Sequence, residues 1–276
     1  MQGPRQLLAR AGLRPKKRFG QNFLVNASAA RSIARLALSD GAPGALALEI
    51  GAGTGTLTLA LLEAGATLTA LEIDPGLVDV LRSREDLAGA SILQADALEF
   101  DYARWANGAP WFVAANLPYN IATPLLLRLI EMEGGPATLT VMVQKDVAQR
   151  FAARPGTAAY GSLSVAIQYA MIVEPELTLA PGSFYPAPKV ESRVVRMIRR
   201  EHPPVRVADP ALFWKVVRGA FAYRRKTLAN SLALALATER KTIERALALC
   251  NLSPELRGER LDLSDFARLA DALACR

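Results

Sequence analysis

The fold is decided by the stretch LALEIGAGTGTLTLALL at residues 46–62, where an apolar run enters a glycine-rich turn and continues as a second apolar run. The pattern predicts a buried strand over 46–50, a turn over 51–55 and a helix over 56–62. Glycines let the backbone turn tightly and approach a ligand closely, with the helix N-terminus beneath it. Thr56 stands where a dinucleotide-binding turn has its third glycine, so a pyrophosphate clamp is disfavoured.

Acidic residues end the next two predicted strands. The run 68–71 leads into Glu72, and the run 90–95 leads into Asp96. A carboxylate at the end of the second strand suits the paired hydroxyls of a ribose and repels a ribose phosphate. A carboxylate at the third strand end can accept a hydrogen bond from the amine of an adenine. Each acid alone is more often a helix cap or a turn, but three successive strand ends that carry the glycine-rich turn, Glu72 and Asp96 favour a nucleoside site.

The tetrapeptide Asn116-Leu117-Pro118-Tyr119 follows the apolar run 111–115, which predicts another buried strand. Its residues suit a flat base that carries an amine. The Asn116 amide oxygen can accept a hydrogen bond, Pro118 stiffens the turn so that the Leu117 carbonyl is a second acceptor, and Tyr119 offers a ring for stacking. Alone, the tetrapeptide fits an ordinary strand-to-helix turn equally well.

Taken together and in order, these motifs resemble those of the ribosomal RNA adenine N6,N6-dimethyltransferases. The matching segments are EIGAGTG at 49–55, EID at 72–74, DA at 96–97, NLPY at 116–119, KRFGQNFL at 17–24, VQKDVAQR at 143–150, FYPAPKVES at 184–192 and FAYRRKTL at 221–228. The resemblance covers nearly the whole chain, and the last two segments point to the small-subunit branch of the family. It implies a Rossmann-like, S-adenosylmethionine-dependent methyltransferase sheet with helices on both faces, followed by a small all-α domain.

The resemblance also implies residue roles. The cofactor S-adenosylmethionine would be bound by Asn22, Leu24, Gly51, Gly53, Gly55, Glu72, Ile73, Asp96, Ala97 and Asn116, of which Asn22 and Leu24 rest on the resemblance alone. The catalytic residues would be Asn116, Leu117, Pro118, Tyr119 and Phe184, with Phe184 closing the second face of the base. The expected reaction is N6,N6-dimethylation of two adjacent adenines in a hairpin loop near the 3′ end of small-subunit (16S) rRNA, during small-subunit biogenesis.

The chain divides near Pro203-Pro204. We expect a basic N-terminal arm over 1–26, a methyltransferase domain over 27–203 and a helical domain over 204–276 that docks RNA or the ribosome. Strand and helix patterns alternate before the prolines, which predicts a mostly parallel sheet. After them the patterns are helical only, over 210–222, 227–236, 238–250 and 264–274.

Basic side chains suggest where RNA binds. The candidates are Lys16, Lys17, Arg18, Lys145, Arg150, Lys189, Arg224, Arg225 and Lys226. Cations beside aromatic residues, as near Phe19, suit flipped or single-stranded RNA. The alternative is a solvated tail, and for the cluster at 224–226 a helix end that attracts cations for its own reasons. The expected partners are small-subunit rRNA and the assembling 30S particle, bound by a monomer.

Composition agrees with this interpretation. The 276 residues carry a net charge of +7, which favours an anionic partner, although an arginine-rich proteome would give the same balance. Cys250 and Cys275 lack metal-ligand spacing, and the single His202 offers no cluster, so we expect no metal and reduced thiols. We expect a cytoplasmic protein, because no apolar run reaches the ~20 residues of a membrane span and the N-terminus lacks a signal-peptide core.

Three other functions compete with this prediction. The nearest is the large-subunit rRNA dimethylase of the antibiotic-resistance type, which shares the catalytic core. A nicotinamide-dependent oxidoreductase is disfavoured by Thr56 and by the lack of a hydride-transfer constellation. A non-catalytic ribosome-assembly factor is disfavoured by the intact tetrapeptide at 116–119.

Overall fold

A computed structural model of the chain describes residues 3–118 and 121–274, with only the backbone of Lys17. The chain forms two compact units. The first contains the residues up to 148 together with 171–199, and the second contains 149–170 together with the residues from 200 onward.

The first unit is built on a seven-stranded sheet. The strands of the chain are β1 (Phe23–Leu24), β2 (Leu46–Ile50), β3 (Thr67–Glu72), β4 (Ser91–Gln94), β5 (Trp111–Asn116), β6 (Thr138–Gln144), β7 (Met171–Leu179), β8 (Phe184–Tyr185) and β9 (Ser192–Arg199). The sheet order is β4-β3-β2-β5-β6-β9-β7, in which β2 to β6 run parallel and β9 and β7 are antiparallel to their neighbours. The predicted mostly parallel α/β sheet is confirmed.

Helices connect these strands. In chain order they are α1 (Pro4–Arg10), α2 (Ala27–Leu38), α3 (Thr56–Glu63), α4 (Pro75–Arg82), α5 (Tyr102–Ala106), α6 (Ala122–Glu131), α7 (Lys145–Phe151), α8 (Ser162–Ala170), α9 (Pro210–Ala222), α10 (Leu228–Ala235), α11 (Arg240–Leu249) and α12 (Leu263–Ala274). Within the described part of the chain, none of them combines the length and the apolar character that a membrane crossing needs.

The strand order reverses between β2 and β5. The chain proceeds from β2 to β3 and β4 on one side, and β5 then pairs with β2 on the other side. Connections leave in opposite directions at such a point, so a crevice opens at the carboxyl ends of the two strands. The glycine-rich turn follows β2 and the predicted amine-binding loop follows β5, and both therefore lie at this crevice.

The N-terminal segment is not the separate arm that the sequence suggested. Residues 4–10 form α1, and the side chain of Leu8 is buried with Phe23 and Leu77. The prediction of an arm relied on the cations of this segment. Its apolar residues instead pack against residues of the first unit that are distant in sequence.

The second unit is a helical cluster. In its described residues, α9 to α12 match the four predicted helices to within about two residues at each end, which is the usual uncertainty of helix ends. Their apolar faces meet around Phe213, Leu232 and Phe266. The segment 149–170 also belongs here, because Tyr160 and Val165 are buried in the same cluster. The predicted boundary placed that segment in the first domain. A helical pattern shows that one face of a helix is buried, but it does not show which hydrophobic core that face joins.

Candidate active site

A cavity opens at the carboxyl ends of the parallel strands in the first unit. It encloses about 750 Å³, a volume that includes space open to solvent. It brings together ten of the residues predicted from the sequence: Asn22, Gly51, Gly53, Glu72, Ile73, Asp96, Ala97, Asn116, Leu117 and Pro118. Phe19, Gln21 and Phe23 are among the other residues that line it. Tyr119 lies outside the described residues.

The glycine-rich turn requires its glycines. Gly51, Gly53 and Gly55 have φ angles of +79°, +59° and +84°, a left-handed conformation that side chains disfavour. A Cβ atom on Gly53 would lie 2.9 Å from the Phe23 ring, so this site also lacks space for one. Gly51 and Gly53 line the cavity, whereas Gly55 is the N-cap residue of α3 and shapes the turn from outside it.

The carboxylate of Glu72 holds the turn in place. Its Oε2 accepts a hydrogen bond from the backbone N–H of Gly53 at 2.8 Å, and its Oε1 accepts one from the N–H of Asp74 at 3.0 Å. Burial raises the pKa of Glu72, and the negative charge of Asp74 adds to this, while the backbone hydrogen bonds oppose it. Each oxygen keeps a second lone pair, so the carboxylate can accept a ligand hydroxyl without losing its backbone partners.

The end of β4 presents a second carboxylate. Asp96 is exposed and accepts a hydrogen bond from the backbone N–H of Leu98 at 2.8 Å through Oδ1. Ala97 is buried beside it, and Ile73, at the end of β3, exposes 41% of its surface. These three residues form a suitable site for a flat base with an exocyclic amine, because Ala97 and Ile73 supply apolar contacts and Asp96 supplies a carboxylate acceptor.

The side chain of Asn116 has a defined orientation. Its Nδ2 donates a hydrogen bond to the carbonyl oxygen of Asn22 at 2.9 Å, so the amide oxygen is left to serve as an acceptor. The N–H of Leu117 donates to the carbonyl of Met142 at 3.1 Å, which fixes the loop beside β6. The carbonyl of Pro118 accepts from the N–H of Ala122 at 3.2 Å, which joins the loop to α6.

The N-terminal segment is attached to the site through Asp74. Lys16 Nζ lies 2.7 Å from Asp74 Oδ1, and Gln21 Nε2 donates to Asp74 Oδ2 at 3.2 Å. Burial alone would raise the pKa of Asp74, but the hydrogen bonds from Lys16 and Gln21 hold it below its ordinary value. Lys16, predicted to contact RNA, is therefore engaged in positioning the cavity wall.

Phe184 does not line the cavity. Only 5% of its surface is exposed, because its side chain packs with Leu24 and Leu57 in the core. Phe184 in β8 is paired with Leu24 in β1. The expectation that its ring closes one face of the target base is not met in this arrangement. An aromatic residue in a proline-rich loop is expected to be exposed and available for stacking. Only the pairing of two short strands that are distant in sequence reveals that Phe184 is buried.

A smaller cavity of about 270 Å³ adjoins the first and shares Phe23, Gly51, Gly53 and Asn116 with it. Leu24, which was predicted to bind the cofactor, lines this smaller cavity together with Glu49. Glu49 is 1% exposed and its Oε2 has no hydrogen-bond partner. Burial raises the pKa of Glu49 to about 8, and the negative charge of Glu72 adds to this effect. No role was predicted for Glu49, although an acidic residue inside an apolar strand is a signal that the sequence does contain.

The remaining predicted RNA contacts are mostly exposed cations. Arg18 stacks over the Phe19 ring at 4.6 Å, while Lys145 is paired with Glu191 at 2.7 Å. The exposed cations elsewhere are Arg150, Lys189, Arg224, Arg225 and Lys226. Arg224 also donates to the carbonyl of Ala158 at 3.3 Å. The side chain of Lys17 lies outside the described residues. Over 3–118 and 121–274, no group of three or more His, Cys, Asp or Glu side chains could hold a metal ion.

The fold and the cavity define a nucleoside-binding α/β enzyme, and the sequence assigns it to one family. The model of the family described as ribosomal RNA adenine dimethylase matches residues 12–260. The chain belongs to this family. Membership confirms the predicted enzyme class, an S-adenosylmethionine-dependent methyltransferase for rRNA.

Individual relatives agree with this assignment. The chain is 41% identical to the ribosomal RNA small subunit methyltransferase A of Streptococcus gordonii, over 98% of this chain and 95% of the relative. It superimposes on a dimethyladenosine transferase from Plasmodium falciparum with a TM-score of 0.73 and 25% identity, over 90% and 95% of the two chains. The 23S rRNA methyltransferase ErmE has the same fold, with a TM-score of 0.68 and 24% identity over 92% and 100%.

The raised pKa of Glu49 predicts a pH dependence of stability. Glu49 binds its proton more tightly in the folded protein, where its pKa is about 8, than at its ordinary pKa of 4.5. Its contribution to the free energy of unfolding is therefore complete below about pH 4.5 and is lost as the pH rises through 8. Glu49→Gln should remove that loss. Urea unfolding of both proteins from pH 5 to 8.5 should give a stability difference that moves in favour of the variant at high pH. Glu63→Gln, at an exposed position on α3, is the control, and a pH-independent difference for Glu49→Gln would contradict the assignment.

Proposed function

We propose that the protein dimethylates N6 of two adjacent adenines in a hairpin loop near the 3′ end of small-subunit rRNA, on the assembling 30S particle. The observation that carries this proposal is the orientation of Asn116. Its Nδ2 is bonded to the Asn22 carbonyl, so its Oδ1 is available as an acceptor in a cavity that also has a ribose-binding carboxylate. A hydrogen-bond acceptor is what a reacting exocyclic amine requires.

The residues of the two cavities fit S-adenosylmethionine, whose sulfonium supplies an electrophilic methyl group. Glu72 would hold the ribose hydroxyls, and Asp96 with Ala97 and Ile73 would hold the adenine. The methionine end would lie in the smaller cavity, near Leu24. There the unpartnered oxygen of Glu49 suits an ammonium group, which would favour the ionised carboxylate.

The chain contributes to the chemistry mainly by positioning the amine. Asn116 Oδ1 and the Leu117 carbonyl would accept the two N6 hydrogens and favour a tetrahedral nitrogen, whose lone pair is then free to attack. Fixed dipoles of this kind also offset the positive charge that develops on the nitrogen. No strong base is needed, because the methylated ammonium loses its proton readily to water.

The target base would be extruded and stacked on an aromatic ring, as enzymes that act on bases require. We assign this stacking to Tyr119, on the sequence alone. Phe184 is assigned a different part: its buried side chain supports β1 and so the position of Leu24 and Asn22. Two transfers to one nitrogen require a pocket that accepts a monomethylated amine.

Chemistry and RNA docking would be divided between the two units. The cofactor and amine-binding residues belong to the first unit, and the exposed cations Arg224, Arg225 and Lys226 belong to the second. Phosphate contacts position a nucleic acid without reading its sequence, so these cations would anchor the rRNA. We propose that the protein acts as a monomer in the cytoplasm, where ribosomal subunits assemble.

The large-subunit enzyme is the second candidate, since ErmE has the same fold. The small-subunit assignment is favoured because the relative from Streptococcus gordonii, named for the small subunit, is 41% identical over 98% of the chain. The segments FYPAPKVES and FAYRRKTL point to the same branch.

Methyl transfer to defined RNAs tests the substrate. The protein should transfer labelled methyl groups from S-adenosylmethionine to unmethylated small subunits, and digestion should yield dimethyladenosine at two adjacent positions. Bare large-subunit RNA should remain unlabelled. Label on the large-subunit RNA, or monomethyladenosine alone, would reject the proposal. Replacing Arg224, Arg225 and Lys226 together by Ala should raise the subunit concentration needed for half-maximal labelling, more strongly at low salt, because the loss of phosphate contacts flattens the salt dependence of binding.

Asn116→Ala tests the proposed mechanism. We expect turnover to fall by much more than tenfold, because the amide acts on the amine in the transition state, while cofactor affinity changes only a few-fold. Single-turnover labelling of small subunits and calorimetry with S-adenosylhomocysteine measure the two effects separately. A loss of turnover below about tenfold, equivalent to ~1.4 kcal/mol, would make Asn116 an ordinary turn residue.

A further inference from the structure

Arg128, on α6, binds the segment that follows β4. Its Nη1 donates hydrogen bonds to the carbonyl oxygens of Ala97, at 3.1 Å, and Leu98, and its Nη2 donates to the carbonyl of Phe100 at 2.8 Å. The guanidinium also lies 5.1 Å from the centroid of the Tyr102 ring. The Tyr102 hydroxyl donates to the Ala97 carbonyl at 2.6 Å. One side chain thus holds three backbone carbonyls, and a buried tyrosine reinforces the first of them.

The segment that Arg128 holds forms one wall of the large cavity. Asp96 and Ala97 line it, and the N–H of Leu98 in the same segment donates a hydrogen bond to the Asp96 carboxylate. The carboxylate therefore takes its position from the local backbone. That backbone is held in turn by Arg128, from the helix that follows the loop carrying Asn116.

We propose that Arg128 is a positioning residue for the nucleoside half of the methyl donor, since it fixes the backbone that presents Asp96 and Ala97 to the adenine. The proposal rests on the cofactor placement given under the proposed function. The planar guanidinium can reach several carbonyls at once because its five N–H donors point in fixed directions. A lysine ammonium is a compact charge on a flexible chain and cannot reproduce this fork.

Arg199 provides a matched control, because it binds backbone carbonyls at the same C-terminal end of α6 on which Arg128 lies. Its Nη2 donates to the carbonyl of Leu129 at 2.9 Å, its Nη1 to that of Ile130 at 3.2 Å, and its Nε to that of Pro136 at 2.9 Å. It too holds three backbone carbonyls around α6, but none of their residues lines either cavity. Loss of either arginine should lower stability, and only loss of Arg128 should disturb the nucleoside site.

The experiment compares Arg128→Met, Arg128→Lys and Arg199→Met in the full-length protein. Calorimetry gives the affinity for S-adenosylhomocysteine and for 5′-methylthioadenosine, which keeps the nucleoside but lacks the amino-acid end. We expect Arg128→Met to weaken both ligands about tenfold, the scale of one charged hydrogen bond. Arg128→Lys should recover little of this affinity. Arg199→Met should bind both ligands within about twofold of wild type, although thermal melting should show both Met variants to be destabilised.

A kinetic comparison separates positioning from general damage. At saturating S-adenosylmethionine, Arg128→Lys should methylate small subunits within a few-fold of the wild-type rate while its KM for the cofactor rises about tenfold, because Arg128 does not touch the reacting atoms. Unchanged ligand affinity in both Arg128 variants would overturn the proposal, and so would an equal loss in Arg199→Met.

The outcomes also distinguish this proposal from the proposed function. Failure of the wild-type protein to bind S-adenosylhomocysteine would overturn both. Tight wild-type binding and weakened Arg128 variants, together with no methyl transfer to small subunits, would support the role of Arg128 and reject the small-subunit reaction.

Discussion

The buried carboxylate of Glu72 is the constraint on which the site depends. A carboxylate at the end of β3 is costly to bury unless hydrogen-bond donors surround it, and the donors here are the backbone N–H groups of Gly53 and Asp74. Satisfying them fixes the glycine-rich turn relative to the second strand. The same contact places Asp74 where it caps α4 and accepts the hydrogen bonds from Lys16 and Gln21. The shape of the cavity wall therefore follows from one buried charge.

Much of the fold could be predicted because its central elements have strong local signals. The strand β5 is apolar along most of its length since it is buried on both faces, and the glycines of the turn sit at positive φ angles. The site residues at the ends of β2, β3 and β5 could be predicted once these strands were recognised, because parallel strands bring their carboxyl ends to one edge of the sheet. The predicted helices at 210–222 and 264–274 were likewise amphipathic and well bounded.

The features that the sequence did not reveal depend on contacts between distant segments. Periodicity shows that a residue is buried, not which core it joins, so the segment 149–170 was assigned to the wrong unit. The charge of Lys16 led to the prediction that it contacts RNA, but it did not reveal the ion pair of Lys16 with Asp74. Aromatic character led to Phe184 being expected on a base, whereas it packs with Leu24. Arg128 gave no signal at all, because its partners are backbone carbonyls that every sequence has.

The site combines a rigid half and a positioned acceptor. Glu72 and the segment held by Arg128 form the part suited to a nucleoside, and Asn116, fixed by its bond to Asn22, forms the part suited to an amine. Both parts are held from the outside by hydrogen bonds to backbone groups, so neither relies on the ligand for its geometry. Such preorganisation is what allows fixed dipoles to stabilise a transition state without reorganising.

A crystal structure of the complex with S-adenosylhomocysteine would show whether Glu72 and Asn116 have the roles given to them here. We expect both ribose hydroxyls on Glu72, the adenine amine beside Asp96 and the amino-acid end near Glu49, with Asn116 still donating to the Asn22 carbonyl and its Oδ1 open to the remaining space. A nucleoside bound away from Glu72, or an Asn116 amide turned so that its oxygen no longer faces the cavity, would contradict these roles.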